Sequence, residues 1–204
     1  QPPEPPPDFS SPGIEPETMT LGVIGEALNS LPDSQRQAME EEIDELKKSG
    51  LTIKTLSWPE YSLCPTVHRM VGSVEASSCA GRYDSVRYGG RAPGAKNWNE
   101  MYLQSRGAAF GTLLKSYLIQ GAYFQFERYD AYENACRIRA RLVRETDRLA
   151  RQADMLVFPT QNPAAPETPE TLAGLYEQFA HTAHANVTGS PALYVPPSGP
   201  GRPG

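Results

Sequence analysis

Apolar positions in this chain recur first at strand spacing and then at helix spacing. Residues 19–24, MTLGVI, are an almost unbroken apolar run, which predicts a short buried strand. After a loop, Asp33 can open a helix running to about Ser49. Met39, Ile43 and Leu46 then share one face, with Glu40, Glu41, Asp44 and Lys48 elsewhere, and Gly50 stands where a C-terminal cap belongs. Residues 51–56, LTIKTL, alternate and predict a second strand. Strand, helix and strand make a βαβ unit with a parallel pair. No GxGxxG or Walker sequence accompanies it, so a nucleotide-binding turn of those kinds is not expected there.

Further along, the pattern turns helical. Trp58-Pro59 marks a turn, a helix is expected from Thr66 to Tyr83, and residues 83–93 form a loop rich in glycine and arginine. Residues 99–126 read as helix, bent or interrupted near Gly107 and Gly111. Ala131, Ala135, Ile138, Leu142 and Leu149 form the apolar stripe of a helix over about 128–152. Seven arginines share that segment: Arg128, Arg137, Arg139, Arg141, Arg144, Arg148 and Arg151. Two readings fit them. One is a solvated face paired with Glu133, Glu145 and Asp147; the other is a docking surface for an acidic partner or RNA. DMLVFP, 154–159, predicts a strand ended by its proline. A helix at 169–185 and a short apolar segment, Ala192 to Val195, complete the pattern.

Composition divides the chain. Of 20 prolines, seven fall in residues 1–16 and nine in 159–204. Residues 1–18 therefore read as a disordered, proline-rich tail and 19–204 as the folded unit. Leu, Ile, Val and Phe total only 38 of 204 residues, low for a self-sufficient core and suited to part of a larger one. The net charge of −5 argues against a broad basic surface for nucleic acid, though not against a local patch. No apolar run approaches the roughly 20 residues of a membrane span. Cys64, Cys79 and Cys136 are too scattered for a disulfide framework or a CxxC metal site, and buried reduced thiols are the simpler expectation. With no basic-then-apolar leader after Gln1, the expected location is cytoplasmic, and the missing start suggests a processed chain or a piece of a longer one.

Candidate chemistry is sparse. His181 and His184 share a face at i, i+3, and Glu177 lies four residues before His181, but a metal site usually needs a fourth ligand. No metal or cofactor is expected, and His68 stands alone in the sequence. Ser77-Ser78 have neither a glycine-rich elbow nor a neighbouring base, so packing or capping is the simpler role. The carboxylates at Glu40, Glu41 and Glu42 read as a solvated helix face. From these residues alone no reaction is declared.

A resemblance adds what the chemistry does not. EASSCAGRYDSVRYGGR, Glu75 to Arg91, resembles the EASSNLARYDGVRYGxR stretch of the amidase signature family, nearest to its tRNA-dependent amidotransferase A-subunit branch. Further pieces follow in order. Ser105-Arg106-Gly107 with Phe110-Gly111 resembles TRSEGFG. Tyr129 to Tyr132 resembles part of LGTYVLSAGYYDAYY, and Asp154 to Thr160 resembles DVILxPT. TAHANVTGSPA, Thr182 to Ala192, resembles FTxPANLAGLPA. The resemblance implies an α/β fold, a mixed sheet flanked by helices, of which the N-terminal catalytic half and the last strands would be missing here. It also implies amide hydrolysis or ammonia release by a serine activated through a second serine and a lysine. Those residues belong to a GGSSGGSA-type loop and the sequence before it, N-terminal to the region matched. No such loop occurs in this chain, so no catalytic residue is assigned.

The family positions that hold glutamine's charged ends fall at His68 or Arg69, at Ser116 and Tyr117, and at Phe179, and none is preserved. A buried charge is poorly recognised once its counter-charge is gone, so glutamine is not expected to be this chain's own substrate. The expected function is the C-terminal, substrate-side portion of an amidase-signature amidohydrolase or amidotransferase. Its partner would be the missing catalytic half or a separate chain carrying it. The alternative is a non-catalytic amidase-like interaction protein docking through the arginine-rich helix. Self-association is expected from unpaired sheet edges. No membrane partner is expected, and nucleic acid only through that helix.

Overall fold

The structure is a computed structural model, which describes residues 18–160, 171–178 and 180–195. The tail expected over 1–18 lies outside these residues apart from Thr18, as does Phe179. Three short strands, β1 (Thr20–Ile24), β2 (Thr52–Leu56) and β3 (Met155–Val157), form a sheet in the order β2-β1-β3. Both pairings are parallel: Leu21 lies opposite Ile53 on one side and Met155 on the other. The described strands thus make a parallel sheet flanked by helices, with the βαβ opening in place. β1 is central, and its apolar run is buried from Leu21 to Ile24, as expected of a strand covered on both faces. Gly22 is needed there: a Cβ on it would lie 2.6 Å from Leu56 Cδ1. Asp154 fixes the entry to β3, its Oδ2 accepting from Thr20 N at 2.8 Å while its own N–H donates to Thr20 O.

Eight helices are described. The first, α1 (Gly25–Asn29), follows β1 directly where a loop is expected from sequence. Helix α2 (Asp33–Lys48) has the predicted bounds, yet of its stripe only Ile43 is buried, and Leu46 stays exposed. Helix α3 (Cys64–Cys79) starts two residues before the expected Thr66, with Pro65 in its first turn, where a missing N–H costs nothing. The long helical stretch divides at Phe110-Gly111 into α4 (Trp98–Ala109) and α5 (Thr112–Phe126), because Phe110 adopts an extended backbone. Gly107 stays helical. Helix α6 (Tyr129–Ala150) buries Ala135, Leu142 and Leu149 as its pattern predicts. The single helix expected at 169–185 is instead two, α7 (Leu172–Gln178) and α8 (Ala183–Thr188), and Ala192 to Val195 form no strand.

One core joins these elements. Ile24, Leu56, Trp58, Tyr61, Val67, Val71, Leu142, Leu149 and Val187 belong to a single buried cluster between the sheet and α3, α6 and α8. Helices α3 and α5 approach tightly at Gly121, where a Cβ would come within 1.9 Å of Ser73 O. The arginines in and beside α6 follow the solvated-face reading for the most part. Arg128, Arg137 and Arg148 pair with Asp130, Glu133 and Glu145, while Arg139 reaches Glu75 and Arg141 reaches Glu60. The cysteines correct the expectation of three buried thiols. Cys64 is buried and its pKa is pushed up to about 12 by that burial, but Cys79 is exposed because it ends α3 on the solvent side.

Candidate functional site

Positions far apart in sequence converge where α3, α5, α7 and α8 meet. His68 and Arg69 stand on α3, one turn from Gly72. That glycine lets α5 deliver Tyr117: a Cβ at residue 72 would sit 2.5 Å from Tyr117 Oη and 4.0 Å from His68 Nε2. Tyr176 on α7 closes the group, its ring centroid 6.1 Å from that of Tyr117. Arg69 lies over the Tyr176 ring at 5.1 Å, a cation–π distance, while its Nε donates to Gln120 Oε1 at 3.2 Å. From α8, Asn186 brings Nδ2 to 3.3 Å from His68 Nε2, so the amide donates to a neutral imidazole. Gly189, at φ +74, ends α8 in the left-handed conformation that a glycine adopts without strain.

Electrostatics keep the imidazole and the two phenols of this cluster neutral, with Arg69 its one full charge. Burial lowers the pKa of His68, with the charge of Glu75 opposing it in part. Burial also raises the pKa of Tyr117, against a hydrogen bond to Tyr176 that lowers it, and burial with Tyr117 beside it holds Tyr176 well above the ordinary phenol range. Glu75, the acidic neighbour, is drawn toward Arg139 at 3.5 Å, and Arg139 Nε also donates to Val187 O at 2.8 Å, tying α6 to α8. The result is a surface of phenols, an imidazole and two amides that can hold an uncharged polar group. The cation of the cluster, Arg69, meets a neutral amide and an aromatic ring, so its charge is not offset by a carboxylate partner among the described residues.

Of the residues singled out from sequence, the structure brings His68, Arg69 and Tyr117 together. Ser116 precedes Tyr117 on α5 and makes no polar contact among the described residues. Sequence reasoning misses Tyr176 and Gln120, and it meets Glu75 and Arg139 only as parts of a motif and a helix face. Gly72 and Gly121 are the signal that could have found them, because a glycine inside a helix marks a close approach of another group.

His181 and His184 do not act together. Tyr61 Oη lies 3.4 Å from His181 Nδ1, while the His184 ring stacks on Phe158 with centroids 3.6 Å apart. His184 Nδ1 also meets His181 O at 3.0 Å, and burial lowers both histidine pKa values. Both therefore serve the core beneath β3. Among the described residues no three His, Cys, Asp or Glu side chains gather as a metal site. Ser77 faces Gly121 across the α3–α5 contact, which accords with packing, whereas Ser78 is exposed. No described helix is long and apolar enough to cross a membrane.

Comparison with known proteins agrees with the fold. The amidase family profile matches residues 1–199. The A subunit of the glutamyl-tRNA(Gln) amidotransferase of Lactobacillus gasseri is 31% identical over 196 residues, covering 93% of this chain and 41% of the relative. The proteins of that name from Clostridium kluyveri and Thermus thermophilus are 32% and 33% identical, each over 87% of this chain and over 37% and 38% of the relative. The chain therefore spans about two fifths of the length of these curated relatives. It belongs to the amidase family.

Proposed function

We propose that this chain is the C-terminal, substrate-side portion of an amidase-signature amidohydrolase or amidotransferase, and that the serines and lysine that cleave the amide lie outside it. One observation carries this reading. The positions that the family resemblance assigns to substrate, His68, Arg69 and Tyr117, are separated by up to 49 residues yet meet around Gly72. The group they form can position an amide by hydrogen bonds. It offers no activated nucleophile, because its hydroxyls are phenols whose pKa values are raised rather than lowered. The family's charged positions, falling at His68 or Arg69, Ser116, Tyr117 and Phe179, are not preserved, which disfavours glutamine as the amide. The partner is the remainder of an amidase domain, in the same polypeptide or in a second one. A role as an interaction protein through α6 is weaker, since five of the seven arginines in and beside that helix already have carboxylate partners.

The test is turnover. The purified chain hydrolyses neither glutamine nor simple aryl and alkyl amides, and gains activity toward uncharged amides when joined to the part of the family that carries the GGSSGGSA-type loop. Turnover by the chain alone that survives Ser77→Ala and Ser78→Ala and tracks the protein through purification overturns the proposal.

A further inference from the structure

A second site stands apart from the amide cluster. Residues 82–98 carry four cationic side chains, Arg82, Arg87, Arg91 and Lys96, against a single carboxylate, Asp84, in a chain whose net charge is −5. The loop is held in shape. Asp84 Oδ1 accepts from the backbone N–H groups of Val86 and Arg87 at 3.0 and 2.9 Å, and Ala92 N donates to Ser105 Oγ at 2.9 Å. Arg87 pairs with Asp84, which neutralises both. Arg91 bonds through Nε, to Ser85 O at 3.2 Å, and its two Nη nitrogens have no partner among the described residues, so they can face a ligand. The Lys96 ammonium makes no polar contact among the described residues.

Between this loop and α4 lies a surface cavity of about 390 Å³, with Arg91, Lys96, Trp98 and Met101 in its wall and no carboxylate. That volume falls within the range of about 300–1,000 Å³ usual for small-molecule sites. Met101 is buried and forms an apolar floor, whereas Trp98 is 58% exposed and presents an indole face. At the start of α4, Asn97 Oδ1 accepts from Glu100 N at 2.9 Å, and Glu100 Oε2 accepts from Lys96 N at 2.6 Å, so one carboxylate stands behind the loop outside the cavity wall.

We propose that this cavity binds a nucleotide unit, with the phosphate on Arg91 and Lys96 and the base against Trp98. A guanidinium with two open N–H edges and a flexible ammonium suit a phosphate, the first through paired hydrogen bonds and the second as a point charge. An exposed indole beside them suits a planar base, since every base has a face to stack. An acidic peptide would satisfy the cations and leave the indole uncovered. The unit can be a free nucleotide or one residue of a single strand, and the shared chemistry is the same.

The two tryptophans make the test direct. Trp58 is fully buried and Trp98 is exposed, so quenching by an added ligand reports on Trp98. The full chain is titrated with adenosine 5′-monophosphate and with a six-residue oligoadenylate, by fluorescence and by calorimetry. Saturable quenching is expected, weakened at least about tenfold by Lys96→Glu and by Trp98→Ala in the calorimetric measurement. Lys96 is exposed and its ammonium holds no described partner, so its variant retains the fold, which circular dichroism verifies. Tighter binding of the oligonucleotide with a steeper salt dependence identifies a strand as the source, and equal binding identifies the free nucleotide. Absence of saturable binding at millimolar nucleotide overturns the proposal. So does equal binding of adenosine, equal binding of inorganic phosphate, or indifference to Lys96→Glu. None of these outcomes depends on amide turnover.

Discussion

The two sides of α3 are built to different standards. Toward the sheet, Trp58, Ile24, Leu142 and Leu149 are wholly buried, and β1, α3, α6 and α8 enclose them. Away from the sheet, α5 carries apolar side chains on several faces, interrupted by Lys115, Ser116, Gln120 and Gln125, and its outer ones are exposed. Ile119 is 69% exposed, Tyr123 50% and Phe126 75%. Exposed apolar side chains grouped on one helix face call for a cover, and none lies over them among the described residues. The contrast teaches that the core between β1 and α3, α6 and α8 is finished, whereas α5 keeps an apolar face open among the described residues. The chain's span of about two fifths of its relatives fits that contrast.

The largest effect is expected where the core is finished. Leu142→Ala removes a fully buried side chain facing the sheet, and should cost about 2–5 kcal/mol through lost burial and the cavity left behind. Equilibrium urea unfolding of the variant checks it. A cost near zero would show that the sheet side is loosely packed and that the contrast is false. Next comes the seam between the two sides. Gly121→Ala places a Cβ 1.9 Å from the Ser73 carbonyl oxygen, a backbone atom that cannot swing away, so α5 must move off α3. The expected cost is about 1–3 kcal/mol, as for other overpacked contacts. Because Tyr117 rides on α5, the variant should also disturb the environment of His68, read by the pH titration of its ring protons in NMR.

Acid should act on the finished side as well. His181 and His184 are pressed toward neutrality by burial, so the folded state binds fewer protons than the unfolded one. Their contribution is fully present above the unfolded value of about 6.5 and is lost as the pH falls through it toward their lowered folded values. Thermal midpoints should therefore hold from about pH 8 to 7 and decline as the pH falls below about 6.5. His184→Phe, which keeps a ring against Phe158, should flatten part of that decline. An unchanged slope would place the acid sensitivity elsewhere.

How much of this was legible in the sequence follows the same divide. β1, α3 and α6 were readable because apolar periodicity records burial, and β1 and the inner faces of those helices are buried; β2 and β3 were readable although Leu56 alone of their residues is buried. Leu46 misled because the end of α2 carries the helical stripe yet leaves this side chain 36% exposed. The helix expected at 169–185 misled because His181 and Tyr176 look helical in spacing, whereas their side chains are spoken for by Tyr61 and by Tyr117 in different places. At the candidate site His68, Arg69 and Tyr117 came from resemblance, not from chemistry, since a lone histidine and a tyrosine 49 residues away carry no common pattern. Gln120 and Tyr176 stayed hidden for a physical reason: helix packing, not spacing along the chain, brings them to Arg69.

The smallest effect on stability should come from the open side, and it sharpens the comparison most. Ile119 and Phe126 touch water, so Ile119→Ser with Phe126→Ser removes little burial from the chain by itself. Stability should change by no more than about 0.5 kcal/mol per site, as for surface positions generally. Association should respond much more. Contiguous apolar side chains on a soluble surface favour contact with any other apolar surface, including the same face of a second copy. Sedimentation should therefore show the unsubstituted chain self-associating as its concentration rises, and the doubly substituted chain shifting toward monomer. The same substitutions should weaken binding to the remainder of an amidase domain, if that is what covers α5. A large loss of stability with no change in association would mean that Ile119 and Phe126 already pack within the chain, and that the open side is as finished as the other.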